Sequence, residues 1–247
     1  MPHNDRHSLY LTISDQTILQ NVFNAYSLTC GIVGKYRSEN LPVLHSTIHT
    51  FFNDFSDRHR SLVEYFKKVP EFVQLSMDDK VRLLRNHFGT MLNINESIIG
   101  GYISTGVVLN LHNVFGQQLG NDVLRSMEKL NVYGSDPILL KLVLIVRSLS
   151  SGMNRFRKEY EVDPVFDDPK TIFRGQSRYI ELLWRYILAR APSDDEAVKF
   201  FNKLVLDLLF LQRTCYHVGN YVYQKEEEIE RMEPVMQCMW PRPTKVN

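Results

Sequence analysis

The chain predicts an all-α fold, and three observations carry that expectation. Apolar residues recur at helical spacing over nearly its whole length. Proline, glycine and capping residues punctuate the pattern at intervals suited to helix ends. One segment, Leu139 to Val146, is apolar almost all round, as only a helix enclosed by other helices is.

Taken in order, Ser14 is the expected cap of a first helix with Ile18, Leu19, Val22, Phe23 and Tyr26 on its apolar face, ended by Gly31 and Gly34. After a looser stretch around Pro42, a long helix is expected from about Leu44 to Val69. It carries Ile48, Phe51, Phe52, Phe55, Leu62, Val63 and Phe66 at helical spacing and stops at Pro70. Ser76, with Asp79 three residues on, starts a helix from Met77 to about Ile99, stopped by Gly100-Gly101. Between Tyr102 and Leu111 the period changes: Val107, Leu109 and Leu111 alternate, which predicts a short strand or hairpin. Asn121 or Asp122 is expected to cap a helix through Met127 and Leu130, and Ser135-Asp136-Pro137 opens the all-apolar helix. Pro164 and Pro169 mark a loop, followed by a helix from Gln176 to Arg190 with Ile180, Leu183, Trp184 and Ile187 inward. Ser193 to Glu196 has capping-box spacing before a long helix bearing Phe200, Phe201, Leu204, Leu208, Leu211, Cys215 and Val218. Lys225 to Arg231 is a charged break, and Pro234 to Trp240 a short amphipathic tail.

Composition narrows the function classes. The 247 residues hold 44% hydrophobic and 23% charged side chains, an ordinary globular balance, and the net charge of +1 gives no footprint for a phosphate backbone. Three scattered cysteines, Cys30, Cys215 and Cys238, fit reduced thiols better than a disulfide framework. No zinc-finger spacing, glycine-rich phosphate loop or Gly-x-Ser-x-Gly elbow occurs, and no apolar run is long enough to span a bilayer. His45 and His49 stand four residues apart on a helix, but no Glu lies between them in the protease pattern and no third ligand follows; no metal and no cofactor is expected.

The densest stretch runs from Tyr65 to Arg85, Y-F-K-K-V-P-E-F-V-Q-L-S-M-D-D-K-V-R-L-L-R. It holds a helix end with two lysines, a proline stop, a short connection pinned by Phe72 and Leu75, and a capped helix start. This resembles the signature of nuclear receptor ligand-binding domains: an aromatic residue, Ala-Lys, Ile/Val-Pro-Gly-Phe, Leu, Asp-Gln and Leu-Leu. Tyr65, Lys67, Val69-Pro70, Phe72, Leu75, Asp79 and Leu83-Leu84 fall in its register without a gap. Phe66 stands in place of the usual small residue, Glu71 of the glycine and Lys80 of the glutamine. The order of elements from about Ile13 to Trp240 also resembles that domain. The resemblance implies a three-layer antiparallel helical sandwich of about a dozen helices with a small β-turn or hairpin. The implied domain spans residues 13–241, between an N-terminal tail, 1–12, and a C-terminal tail, 242–247.

What the resemblance implies about function is a binding module without catalysis. A coactivator or corepressor helix would lie in a groove with Val63, Phe72, Val81 and Leu84 as floor, Lys67 as clamp and Lys80 at the rim. Lysine suits the negative C-terminal end of a bound helix. The activation helix is matched by Val235-Met236-Gln237-Cys238-Met239-Trp240, where Cys238 replaces the glutamate that completes the clamp, leaving Glu233 as a substitute. A small lipophilic ligand would be bounded by Phe51, Phe52, Phe55, Arg58, Leu92, Glu96 and Ile99. Arg58 and Glu96 are expected to face each other, as a structural tie or a polar anchor. The implied setting is the nucleus, with a homo- or heterodimer formed on the outer face of Ser193 to Tyr223, and DNA contacted only through a cysteine-rich module absent from this chain. A receptor-like corepressor that acts by dimerising is the alternative, and a helical enzyme a remote one.

Overall fold

The computed structural model describes residues 9–31, 43–99, 103–151 and 166–240. Every regular element among them is helical. In chain order they are α1 (Ile13–Thr29), α2 (Ile48–Asn53), α3 (Ser56–Phe66), α4 (Pro70–Val73), α5 (Met77–Ile99), α6 (Thr105–Asn131), α7 (Leu139–Ser148), α8 (Pro169–Arg190), α9 (Asp194–Tyr223), α10 (Glu226–Glu230) and α11 (Pro234–Gln237).

The start of α1 corrects the sequence reading. Thr12, not Ser14, is the cap, because Asp15 stands where the box is reciprocal: Asp15 N–H donates to Thr12 Oγ1 at 3.1 Å and Thr12 N–H to Asp15 Oδ2 at 3.0 Å. Gly34 lies outside the described residues. The single helix expected from Leu44 to Val69 is two. The chain turns at Phe55 (φ −96°, ψ −2°), and Phe51, Phe52 and Phe55 all enter one aromatic cluster, with Phe51 5.4 Å from Phe52 and 5.1 Å from Phe55. Val69 is extended before Pro70, as a pre-proline residue prefers, and Ser76 Oγ accepts the Asp79 amide at 3.1 Å to start α5.

The expected strand between Tyr102 and Leu111 is absent from the described part of that segment. Ser104 caps α6 instead, and the buried residues Asn110, Leu111, Val114 and Phe115 follow helical spacing, while Leu109 faces outward. The α6 path turns sharply at Gly116, whose φ of 76° favours a residue without Cβ. Asn121, expected as a cap, instead accepts at its Oδ1 from His112 Nε2–H across that turn, at 2.9 Å.

The enclosed helix is as the sequence predicts: Leu139 to Ile145 of α7 are all buried, Lys141 included. Asp136 Oδ1 accepts the amides of Ile138 and Leu139 at 2.9 and 2.8 Å. Lys141 is held by the Pro137 carbonyl and the faces of Phe23 and Tyr26. Asp168 caps α8, which begins at Pro169, seven residues before the expected start at Gln176. Its buried face is Tyr179, Leu182, Leu183, Tyr186 and Ile187, and Ile180 points outward. Ser193 caps α9 through the Glu196 amide, and the charged break is the short helix α10.

Helix α5 contacts α6, α7 and α9; α7 contacts α1, α5 and α8; α9 packs along α6 and α8. Buried polar ties fix these contacts. Asp207 of α9 receives Tyr133, Lys203 and Lys129, and Arg185 of α8 reaches Asp15 of α1 at 2.8 Å. No helix among the described residues is long and apolar enough to cross a membrane.

Candidate functional site

The corner from α3 to α5 presents Lys67 at its apex. Lys67 follows the last turn of α3, is exposed, and its Nζ lies 2.6 Å from Glu64 three residues back. An exposed pair of this kind contributes roughly 0–1 kcal/mol, so the ammonium is free to exchange partners. Lys80 is differently employed: its Nζ donates to the Val73 carbonyl at 2.8 Å, ending α4. Val63 of α3 and Val81 of α5 are half-buried, whereas Leu84 is nearly enclosed. Phe72 is not floor but core, 2% exposed and 5.7 Å from Phe66. Sequence reasoning passed over two apolar residues of the same corner, Val73 and Met77, both exposed.

Beneath the corner, Asp79 is fully buried and binds a distant segment. Its two carboxylate oxygens accept the amides of Asp167 and Asp168 at 3.0 and 3.1 Å, and Arg82 lies 3.1 Å away.

The C-terminal segment is fastened over α2, α3 and α5. His49 N–H and Nδ1 meet Glu228 Oε2 at 3.0 and 2.9 Å. Glu233 N–H donates to Asn53 Oδ1 at 2.8 Å, and its carboxylate sits 3.0 Å from Arg60. Arg85 Nε donates to the Cys238 carbonyl at 2.7 Å. Met236, Met239 and Trp240 are buried, Val235 is half-buried and Cys238 is exposed. Glu233 is thus engaged by Arg60. Of the residues that fasten this segment, His49 stood out only for its spacing from His45, and Asn53, Arg60 and Arg85 carried no sequence signal beyond being polar on an amphipathic helix.

The fastened segment closes a cavity of about 110 Å³. Phe51, Phe52, Phe55, Leu92 and Glu96 line it as the resemblance implies, together with Phe88, Phe115, Met239 and Trp240. Arg58 and Ile99 are not among its walls. Arg58 instead reaches Glu96 at 2.9 Å and Asp54 at 3.6 Å and covers the Phe55 ring at 4.7 Å, with both members of the Arg58–Glu96 pair about nine-tenths buried. The pair is a tie between α3 and α5. Trp240 enters the aromatic cluster with its ring 5.4 Å from Phe52 and 5.9 Å from both Phe88 and Tyr223.

Two histidines near this cluster are enclosed. Burial, aided by the charge of Arg60, pushes His59 down to about 4, and neither of its ring nitrogens has a hydrogen-bond partner. Burial and Arg147 push His87 down to about 3, against a 2.6 Å contact with the Ser150 carbonyl. Burial also holds the Cys215 thiol up at about 12, which keeps it protonated and unreactive.

A larger cleft of about 550 Å³ lies on another face, between Tyr133, Tyr186 and Phe200. Its cations each face a carboxylate: Arg190 meets Asp136, Lys199 meets Glu196 and Lys203 meets Asp207. No cluster of three or more His, Cys, Asp or Glu suited to a metal occurs among the described residues. His45 and His49 diverge, towards Asp54 and Glu228 respectively. No protein-family model matches the chain, and no curated protein matches it.

Proposed function

We propose that this chain is a nuclear receptor ligand-binding domain, a transcription regulator acting in the nucleus by recruiting coregulator helices to the corner around Lys67, without catalysis. The observation that carries the reading is that corner. The Tyr65–Arg85 signature forms a helix end, a one-turn helix and a capped helix, with a loosely paired lysine after the helix end and half-buried Val63 and Val81 on the two helices that flank the connection. A helix with leucines on one face would lay them against those valines, Val73 and Met77, with Lys67 on its last carbonyls. The contacts of α5 and α7 on both sides support the arrangement of the helices as a three-layer sandwich. The outer face of α9 carries Val198, Val205 and Leu209 in one stripe with Leu206 beside it, all exposed, a surface suited to pairing with a second receptor domain.

The fastened tail sharpens the reading. Its helix is held by polar contacts from His49, Asn53, Arg60 and Arg85, and a cavity of about 110 Å³ is below the roughly 300–1,000 Å³ of a drug-sized ligand pocket. Recruitment therefore does not wait for a large lipophilic ligand. Cys238 at the glutamate position favours, as a second reading, a receptor-like corepressor that works by dimerising. Fusion to a heterologous DNA-binding module tests both. A reporter change, up or down, that Lys67→Ala abolishes supports the receptor reading; a reporter indifferent to the fused domain removes it.

A further inference from the structure

We propose that the cleft at the C-terminal end of α8 is a binding site for a singly charged organic anion with a flat apolar body, an aromatic carboxylate. The connection from α6 to α7, the last turn of α8 and the first turns of α9 form its walls. Its volume of about 550 Å³ lies within the roughly 300–1,000 Å³ of small-molecule sites.

The lining is apolar below and charged above. Tyr133, Leu139, Tyr186 and Ile187 are buried, whereas the side chains of Arg190, Lys199 and Lys203 are each more than half exposed. Phe200 stands edge-on to Tyr133 at 5.5 Å, which gives the cleft an aromatic wall. An amphiphilic molecule, with rings on the floor and a polar group at the rim, matches this division.

The polar inventory decides the charge of that group. Among the lining residues three cations stand against two carboxylates, Asp136 and Glu196. Asp136 is spent: its Oδ1 accepts the amides of Ile138 and Leu139 and the Tyr186 hydroxyl, and its Oδ2 meets Arg190 at 3.1 Å. Glu196 and Lys199 form an exposed pair of the kind that contributes little, so a ligand carboxylate can take the place of Glu196. Behind Lys203, Asp207 is shared with Lys129, so two ammonium groups converge on one carboxylate. The groups with capacity to spare are therefore donors, and their complement is an acceptor that carries negative charge. A single surplus charge suits a carboxylate better than a phosphate dianion, and the apolar floor gives an inorganic anion nothing to cover. Arg190 adds geometry: its guanidinium lies 5.6 Å over the Tyr186 ring, and a stacked planar fork matches a carboxylate.

The lining includes no residue of the corner around Lys67 and none of the tail, so the proposal does not rest on the receptor reading.

2-Naphthoate and 2-naphthamide share a shape and differ in charge, which makes them a matched pair of probes. In titration calorimetry on the whole chain, 2-naphthoate is expected to bind at least about fivefold more tightly than the amide at low salt, an advantage that shrinks in about 0.5 M sodium chloride. Lys199→Glu and Arg190→Gln, both at exposed positions, should each weaken the acid and leave the amide unchanged, and Phe200→Ala should weaken both probes. Leu92→Phe, in the cavity under the tail, should change neither. If Arg190→Gln proves unstable in thermal melts, Lys199→Glu decides alone. Equal affinity for the two probes, acid binding indifferent to Lys199→Glu, binding lost with Leu92→Phe, or no binding of either probe at about 1 mM overturns the proposal.

Discussion

The Arg58–Glu96 pair offers the sharpest energetic test of how the core of this domain is tied. Both side chains are about nine-tenths buried, so little solvent screens them. Arg58→Met leaves the Glu96 carboxylate enclosed without its guanidinium, and the expected cost is about 4 kcal/mol. Glu96→Met is milder, about 2 kcal/mol, because Arg58 keeps Asp54 at 3.6 Å and the face of Phe55 at 4.7 Å. The double replacement exchanges a buried ion pair for packed thioethers and should cost about 1–2 kcal/mol relative to the parent, a coupling on the order of 4–5 kcal/mol. For a chain of this length Arg58→Met should lower Tm by about 8–16 °C. Urea unfolding of the four proteins closes the cycle, with an unchanged m-value showing that stability alone has moved. Additive single costs, or an Arg58→Met protein within about 1 kcal/mol of the parent, would refute the reasoning.

Asp79→Ala strips the Asp167 and Asp168 amides of their acceptor and should cost about 3–5 kcal/mol; accelerated hydrogen exchange at residues 167 and 168 would locate the loss. His59 and His87 sit near 4 and 3 in the folded state against 6.5 in an unfolded chain. The unfolded chain therefore takes up protons first as pH falls, and stability, complete above pH 6.5, drains away towards pH 4 by about 1.4 kcal/mol per unit for each histidine. His59→Phe should halve that histidine-driven slope and raise stability at pH 5; a parallel pH profile would contradict the assignment. Leu206→Arg, on the exposed face of α9, should turn a dimer into a monomer in sedimentation while shifting stability by less than about 0.5 kcal/mol; an unchanged oligomeric state places any pairing surface elsewhere.

Much of this architecture is legible in the sequence where local chemistry decides it. Ser76 before α5, Ser193 before α9 and the enclosed α7 follow from caps and periodicity alone. The misreadings fall where tertiary contacts override local pattern. Val107, Leu109 and Leu111 alternate like a strand, but Asn110 lies among them and spends its amide on Val43 and His45, which fixes a helical turn there. The long second helix breaks at Phe55 because three phenylalanines share one cluster, a demand invisible to periodicity. In the site, the resemblance alone pointed to Arg58 facing Glu96, which do meet, and to seven pocket positions, of which Phe51, Phe52, Phe55, Leu92 and Glu96 line the cavity. Phe72 was not, since an apolar residue in a groove motif looks the same whether it floors the groove or fills the core. The polar fastenings of the tail join residues 153 to 180 positions apart, as Arg85 joins Cys238 and Asn53 joins Glu233, and no single-sequence pattern encodes them.

The most direct test of the central claim is binding of a labelled Leu-x-x-Leu-Leu peptide to the purified domain, measured by anisotropy beside Lys67→Ala and Val81→Arg. Lys67 and Val81 are exposed and half-buried, so both variants should fold. The expected result is binding that Lys67→Ala weakens several-fold and Val81→Arg abolishes, with longer corepressor peptides competing for the same surface. Peptide binding indifferent to both substitutions, or no binding of either peptide class, would contradict it.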